Sequence, residues 1–127
     1  MQLLLDTHVF LWWEAKSPDL GSRAKALIAD PSNLVFVSAA AIWEIGIKRR
    51  LKKLQFSGSA TDTIASNGFT ELPIGAGDAE FASELDWDHG DPFDRLLVAQ
   101  AVRRSMTLMS VDRAILTFTQ VSTASAH

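Results

Sequence analysis

Met1-Gln2-Leu3-Leu4-Leu5-Asp6-Thr7-His8-Val9-Phe10-Leu11-Trp12-Trp13 sets an apolar run of strand length directly before an apolar segment fit for a short helix, with an acid at the junction. The arrangement recurs along the chain. Leu34 to Val37 reads as a second buried strand, and Ser38 then caps a long helix running to about Leu54. In that helix Ala40, Trp43, Ile47, Leu51 and Leu54 recur at three- and four-residue steps, the period of one helical face. Thr70 to Pro73 or Ile74 and Thr107 to Ser110 read as short strands, and a last strand is expected near Phe118 to Val121. Further helices are expected over Arg23 to Ala29, over Ser59 to Ser66, from a cap at Asp78 through Leu85, from Asp91 to about Arg104, and briefly from Asp112. Alternation of strand-length apolar runs with helical segments is the signature of a parallel sheet with crossover helices. The expected fold class is therefore α/β, in a single domain over residues 1–127, with Ser122 to His127 as a frayed tail.

Composition narrows the chemistry. A chain of 127 residues, 47% hydrophobic and 21% charged, has ordinary globular usage and should bury roughly two thirds of its unfolded surface. No cysteine is present, which removes disulfides, zinc-thiolate sites and thiol nucleophiles, and leaves oxygen or a few histidines to hold any metal. The apolar start lacks the basic flank of a signal peptide and is interrupted by Asp6, His8 and Glu14, so a cytoplasmic protein without membrane contact is expected. Net charge is −3, yet Lys48, Arg49, Arg50, Lys52 and Lys53 gather five of the 12 basic residues within six positions. That makes a basic ridge on an acidic body, either a solvated helix face or a contact for phosphates.

Four acids stand where apolar or turn residues are usual. Asp6 and Asp112 follow the apolar ends of two strands, and in a parallel sheet both therefore reach the edge where ligands bind. Each reads equally as a helix cap. In His89-Gly90-Asp91-Pro92-Phe93-Asp94-Arg95, Asp91 reads as the cap, Pro92 as the first helical residue, and Asp94 as a third-position anion favoured by the helix dipole. The helix that Asp94 opens should pack near the last strands and bring it beside Asp112. Glu44 lies among Ala39 to Trp43 and Ile45 to Ile47, where an ionised group needs a partner, either a cation or a salt bridge to Arg95 or a lysine. Hard cations such as Mg2+ or Mn2+ choose oxygen ligands and relieve repulsion among clustered carboxylates.

Taken together, Leu3-Leu4-Leu5-Asp6-Thr7-His8, Ser38 through Trp43-Glu44-Ile45 and Lys48, Asp91-Pro92-Phe93-Asp94-Arg95 through Gln100-Ala101, and Ser110-Val111-Asp112 resemble a PIN domain, most closely the VapC-type ribonuclease toxins of bacterial toxin-antitoxin pairs. The resemblance spans nearly the whole chain. It implies a three-layer α/β/α sandwich around a parallel sheet. It also implies an acidic quartet, Asp6, Glu44, Asp94 and Asp112, binding Mg2+ or Mn2+ and activating water for RNA cleavage, with Thr7 and Ser110 bordering the site. Many members carry Asn or Ser where this chain has His8. A homodimer is implied too, with a small antitoxin whose C-terminal segment lies across the active-site groove, often with an arginine or lysine reaching the acids.

Around that core, Lys48, Arg49, Arg50, Lys52 and Arg95 are the candidates for RNA contact, Arg95 serving alternatively to hold an acid in place. Arg103 and Arg104 complement a helix C-terminus; His8 and His89 flank acids and can serve as their hydrogen-bond partners, though His89 reads rather as a surface loop residue; and the tryptophans read as core except that one of Trp12 and Trp13 faces outward. An outward Trp beside Phe10 would suit a dimer or antitoxin surface. The competing function is a non-catalytic module that keeps the acids to bind Mg2+, as phospho-receiver domains do, or uses the groove to hold a protein. A receiver would want paired acids after its first strand and a lysine near its last, and neither is present.

Overall fold

The computed structural model describes all 127 residues. Its strands are β1 (Gln2–Leu5), β2 (Leu34–Ser38), β3 (Thr70–Leu72), β4 (Thr107–Ser110) and β5 (Thr123–Ser125). Its helices are α1 (Thr7–Glu14), α2 (Ser22–Ala29), α3 (Ala39–Arg50), α4 (Ala60–Ser66), α5 (Ala76–Glu84), α6 (Pro92–Arg104) and α7 (Arg113–Leu116). The five strands form one all-parallel sheet in the order β3-β2-β1-β4-β5. The chain steps outward from β1 through β2 to β3, then crosses back to start the other half at β4. Neighbouring strands β1 and β4 thus leave the sheet toward different connections, and such a switch point opens a crevice at the carboxyl ends of the strands.

Leu3, Leu4 and Leu5 are all fully buried because helices cover both faces of β1. Leu3 and Leu5 pack with Val9 and Phe10 of α1, Ala24 and Ile28 of α2, and Ile64 of α4. Leu4 faces the other way, with Leu108 of β4, Leu97, Val98 and Ala101 of α6, and Ile115 of α7. Each buried leucine contributes about 2 kcal/mol of transfer free energy, which makes the middle of the sheet the firmest part of the molecule. These layers form the expected α/β/α sandwich.

Helix α3 departs from the expected orientation. Its buried residues are Ala40, Ala41 and Ile45, whereas Trp43 and Leu51, expected on the apolar face, are 62% and 58% exposed. Ala40 belongs to one core and Ala41 and Ile45 to the other, and α3 touches both α1 and α6. It therefore spans the carboxyl edge of the sheet instead of lying flat on one face, and this is what carries Glu44 over the strand ends. The helix stops at Arg50, short of Leu54, where Lys52 takes a left-handed conformation (φ 58°) and the Lys53 amide turns back to the Lys48 carbonyl at 2.9 Å.

The end of the chain is ordered. The expected strand at Phe118 to Val121 is a loop, because Phe118 stacks on Trp87 at 4.7 Å and Val121 is buried in the core. The strand forms instead at Thr123–Ser125, within the stretch expected to fray. Ala126 beyond it is fully buried and its carbonyl accepts the Gly21 amide at 2.8 Å. A β-carbon at Gly21 would overlap the His127 backbone, so glycine is required for this docking.

Asp78 also differs from its expected role. Gly75 caps α5, and Asp78, whose side chain is fully buried, accepts the Gly75 amide at 2.9 Å and receives Arg103 and Arg104 from the end of α6. The two arginines thus clamp α5 to α6 instead of only complementing a dipole. Chiefly through Arg104, they hold the Asp78 carboxyl well below the usual carboxylate range. An acid with a lowered folded pKa adds stability above its unfolded pKa and loses it as pH falls. Asp78→Ala is therefore expected to lower unfolding free energy by about 2–3 kcal/mol at pH 7 in urea titrations, with the deficit shrinking below about pH 4. A deficit independent of pH would show that packing, not charge, makes the clamp.

Candidate metal centre at the carboxyl edge of the sheet

Asp6 ends β1 and caps α1, accepting the Val9 amide at 2.8 Å with one oxygen. Its other oxygen accepts the hydroxyl of Ser110, the last residue of β4, and the Asp6 amide donates to the Met109 carbonyl at 3.0 Å. Asp112 caps α7 through the Ala114 amide at 2.8 Å, and its own amide donates to Ser110 Oγ at 2.9 Å. Both acids are caps, and both face the same cavity. Capping and site duty coexist because a carboxylate has more lone pairs than its cap bond uses.

Asp91 caps α6, accepting the Phe93 and Asp94 amides, with Pro92 at the first position. Asp94 is thereby free to point away from the helix end, and it meets His89 Nε2 at 2.7 Å. From α3, Glu44 accepts the Thr7 hydroxyl at 2.6 Å and pairs with Lys48 Nζ at 3.0 Å. Of the two salt-bridge partners considered for Glu44, Arg95 and a lysine, it is the lysine that the structure provides. The four acids line one cavity of about 220 Å³, together with Thr7, His8, Lys48 and Asp91.

Burial raises the pKa of Asp6, against the opposing hydrogen bonds from Ser110 and Val9. Asp94 is pushed up to about 6, chiefly by burial, with Asp91 and Asp112 adding repulsion and the His89 hydrogen bond working the other way. Ionised carboxylates are thus crowded and poorly hydrated here. His89, Asp94 and Asp112 each offer a ligand atom, all within 4.8 Å of one another. Such a donor set fits a divalent cation, which would replace the missing hydration and the missing countercharge.

Other candidates lie elsewhere. Arg95 is half-buried and reaches no acid: its guanidinium donates to the carbonyls of Ala82, Leu85, Trp87 and His89 at 2.7–3.0 Å. It fixes the α5–α6 loop instead of holding an acid in place, and it is not among the residues lining the acidic cavity. Arg49 donates to the Gly58 carbonyl at 2.9 Å and sits over the Phe56 ring, bracing the loop after α3. Arg50 and Lys52 are exposed and do not line the acidic cavity. Trp12 and Trp13 are both half-buried and Phe10 is fully buried, so the outward tryptophan is Trp43. Of the two roles open to His89, surface loop residue and hydrogen-bond partner of an acid, the structure provides the second, with Asp94 as the partner. Its place among the acids ahead of α6 was the available signal.

Comparison with known proteins agrees with this geometry. The family model described as the PIN domain matches residues 3–121. Among solved structures, VapBC2 from Rickettsia felis, bound to a DNA fragment from its promoter, aligns over all of both chains with a TM-score of 0.68 and 15% identity. A toxin-antitoxin complex from Klebsiella pneumoniae aligns over 98% of each chain at 0.66 and 18%, and DNA-bound VapBC from Salmonella typhimurium over 100% of this chain and 99% of its own at 0.67 and 12%. No curated protein matches the sequence significantly.

A raised carboxyl pKa destabilises the metal-free fold. The unfolded chain ionises Asp94 from about pH 4, whereas the folded chain resists until about 6, so stability attributable to this group falls across that window as pH rises. In EDTA, Asp94→Asn is expected to melt a few degrees above the parent protein at pH 7, with an advantage that shrinks toward pH 4. Mn2+ should raise the melting temperature of the parent and not that of the variant. A pH-independent difference would count against the electrostatic account.

Proposed function

The chain belongs to the PIN-domain family, and from that premise we propose that it is a metal-dependent endoribonuclease and the toxin of a toxin-antitoxin pair. PIN domains are generally nucleases that use divalent metals. The observation that carries the proposal is the convergence of Asp6, Glu44, Asp94 and Asp112, from four separate elements, on one cavity at the switch point of the sheet.

Asp6, Asp94 and Asp112, with Glu44, would hold one or two Mg2+ or Mn2+ ions. When bound, such an ion polarises a phosphoryl oxygen and lowers the pKa of a coordinated water, the chemistry that phosphodiester hydrolysis needs. The protein's own groups prepare that chemistry. Ser110 and Thr7 fix the carboxylates of Asp6 and Glu44 by donating hydroxyl protons to them. Lys48 balances Glu44 and would have to share it with any ion. His89 orients Asp94 through Nε2.

The partner follows the same line. The similar structure from Klebsiella pneumoniae is a toxin-antitoxin complex, and by analogy a small antitoxin would lie across the acidic cavity, placing a cation over the carboxylates. A homodimer would cover the exposed Trp43 and Leu51. The Lys48–Glu44 pair is the one feature that favours a non-catalytic module, since it already neutralises one acid.

With total RNA and Mg2+ or Mn2+, the protein freed of any partner is expected to cleave, and Asp6→Asn or Asp94→Asn to abolish cleavage, as EDTA should. Ser110→Ala and Thr7→Ala are expected to retain activity reduced about 10–100-fold, because they only orient ligands. No cleavage by the unsubstituted protein with either metal would leave the non-catalytic module standing.

A further inference from the structure

A second cavity of about 590 Å³ adjoins the acidic one and shares His8, Leu11 and Lys48 with it. Its opposite wall is the segment after α3, which the left-handed turn at Lys52 sends back toward α1. That segment contributes Lys53, Gln55, Phe56 and Ser57 to the lining, facing Trp12 and Glu14 of α1. Arg49 holds the loop in place by its bond to Gly58 and its position over Phe56.

We propose that this cleft is a nucleotide subsite, which receives the base and phosphate next to the phosphodiester poised at the acids. The inference rests on the ribonuclease reading above. Three features of the lining favour it. The first is charge: Lys53 makes no salt bridge, Lys48 between the two cavities pairs only with Glu44 and can turn from it toward a phosphate, and the lining holds a single acid, Glu14. The second is the rings of Trp12 and Phe56, set at the surface of the core and braced by His8 and Phe10 respectively. Base-aromatic stacking on such rings tolerates any base. The third is the pair of neutral polar side chains, Gln55 and Ser57, which can read a base edge. The volume falls in the range of pockets that hold small ligands of nucleotide size.

Direction follows from the neighbours of the acidic cavity. On the α6 side the groups facing it are Asp91, Asp94 and Asp112, and Arg95 there is bound to backbone carbonyls. Phosphates leaving the acids toward α1 and the loop after α3 meet Lys48, the partner of Glu44, and then Lys53, which makes no salt bridge. A basic protein segment that reaches for the acids gains nothing from a lysine-lined cleft, whereas a polyanion does.

The test is steady-state cleavage of a short single-stranded RNA with Mn2+ by Lys53→Gln, Gln55→Ala and Phe56→Leu, with folding checked by circular dichroism. Lys53 and Gln55 are exposed, so these two variants are informative even where Phe56→Leu fails to fold. Lys53→Gln should raise KM several-fold and reduce the salt slope of RNA binding by about one. Phe56→Leu should weaken binding about tenfold, and Gln55→Ala should alter base preference beside the cut. Unchanged KM, salt slope and cleavage pattern in variants that still cut RNA would overturn the subsite while leaving the nuclease reading intact. Loss of affinity confined to a captured protein partner would give the cleft to a polypeptide and overturn it as well. No cleavage by the unsubstituted protein would instead remove the reading on which the subsite rests.

Discussion

The carboxylate of Asp6, only 5% exposed, is the point from which the site is built. Its two oxygens bind the first turn of α1 and the end of β4, so the two central strands and the helix leaving one of them meet at one buried anion. Burying a charge is unfavourable unless it is hydrogen-bonded or neutralised. Asp6 has the hydrogen bonds but no cation within its own set of contacts. That incomplete compensation is what gives the carboxyl edge its demand for positive charge.

The neighbouring acids meet the same demand in different ways. Glu44 has Lys48, and Asp94 has His89, whereas Asp112 is engaged by the Ala114 amide of its own helix. The two side-chain partners are the more exposed members of their pairs, with side-chain exposures of 46% for Lys48 against 14% for Glu44, and 27% for His89 against 17% for Asp94. Each can move toward solvent without disturbing the core. Fixed acids with more exposed partners suit a site that would take up a cation, with the fold's stability carried by the leucines of β1 beneath.

Stability is also arranged away from the site. Asp78 with Arg103 and Arg104 joins α5 to α6 at the far end of α6 from Asp94, and Arg95 ties the intervening loop through the carbonyls of Leu85, Trp87 and His89 and reaches α5 through that of Ala82. These contacts fix how α6 enters its first turn. The side chains that read as functional by charge alone, Arg95 above all, serve instead to position the residue beside them. Conversely His89 is the hydrogen-bond partner of Asp94, and Lys53, at the end of the basic ridge, lines the cleft beside the acidic cavity.

The order of elements, the parallel sheet and the positions of Asp6 and Asp112 at strand ends were legible in the sequence, because burial on both faces leaves uninterrupted apolar runs and because acids recur where helices begin. Glu44 was legible as an anomaly, a charge among apolar neighbours, though not its place: that depended on α3 spanning the sheet edge, and periodicity had set Trp43 and Leu51 inward when both face solvent. The ordered tail was hidden for a related reason, since Thr123 to Ser125 carries no apolar run and is held by pairing with β4 and by a glycine a hundred residues earlier. Periodicity records how deeply a local segment is buried. Which distant segment approaches it, and from which side, is decided only when the helices pack, and on that decision rest the Asp6–Ser110 bond, the His89–Asp94 pair and the cleft beside them.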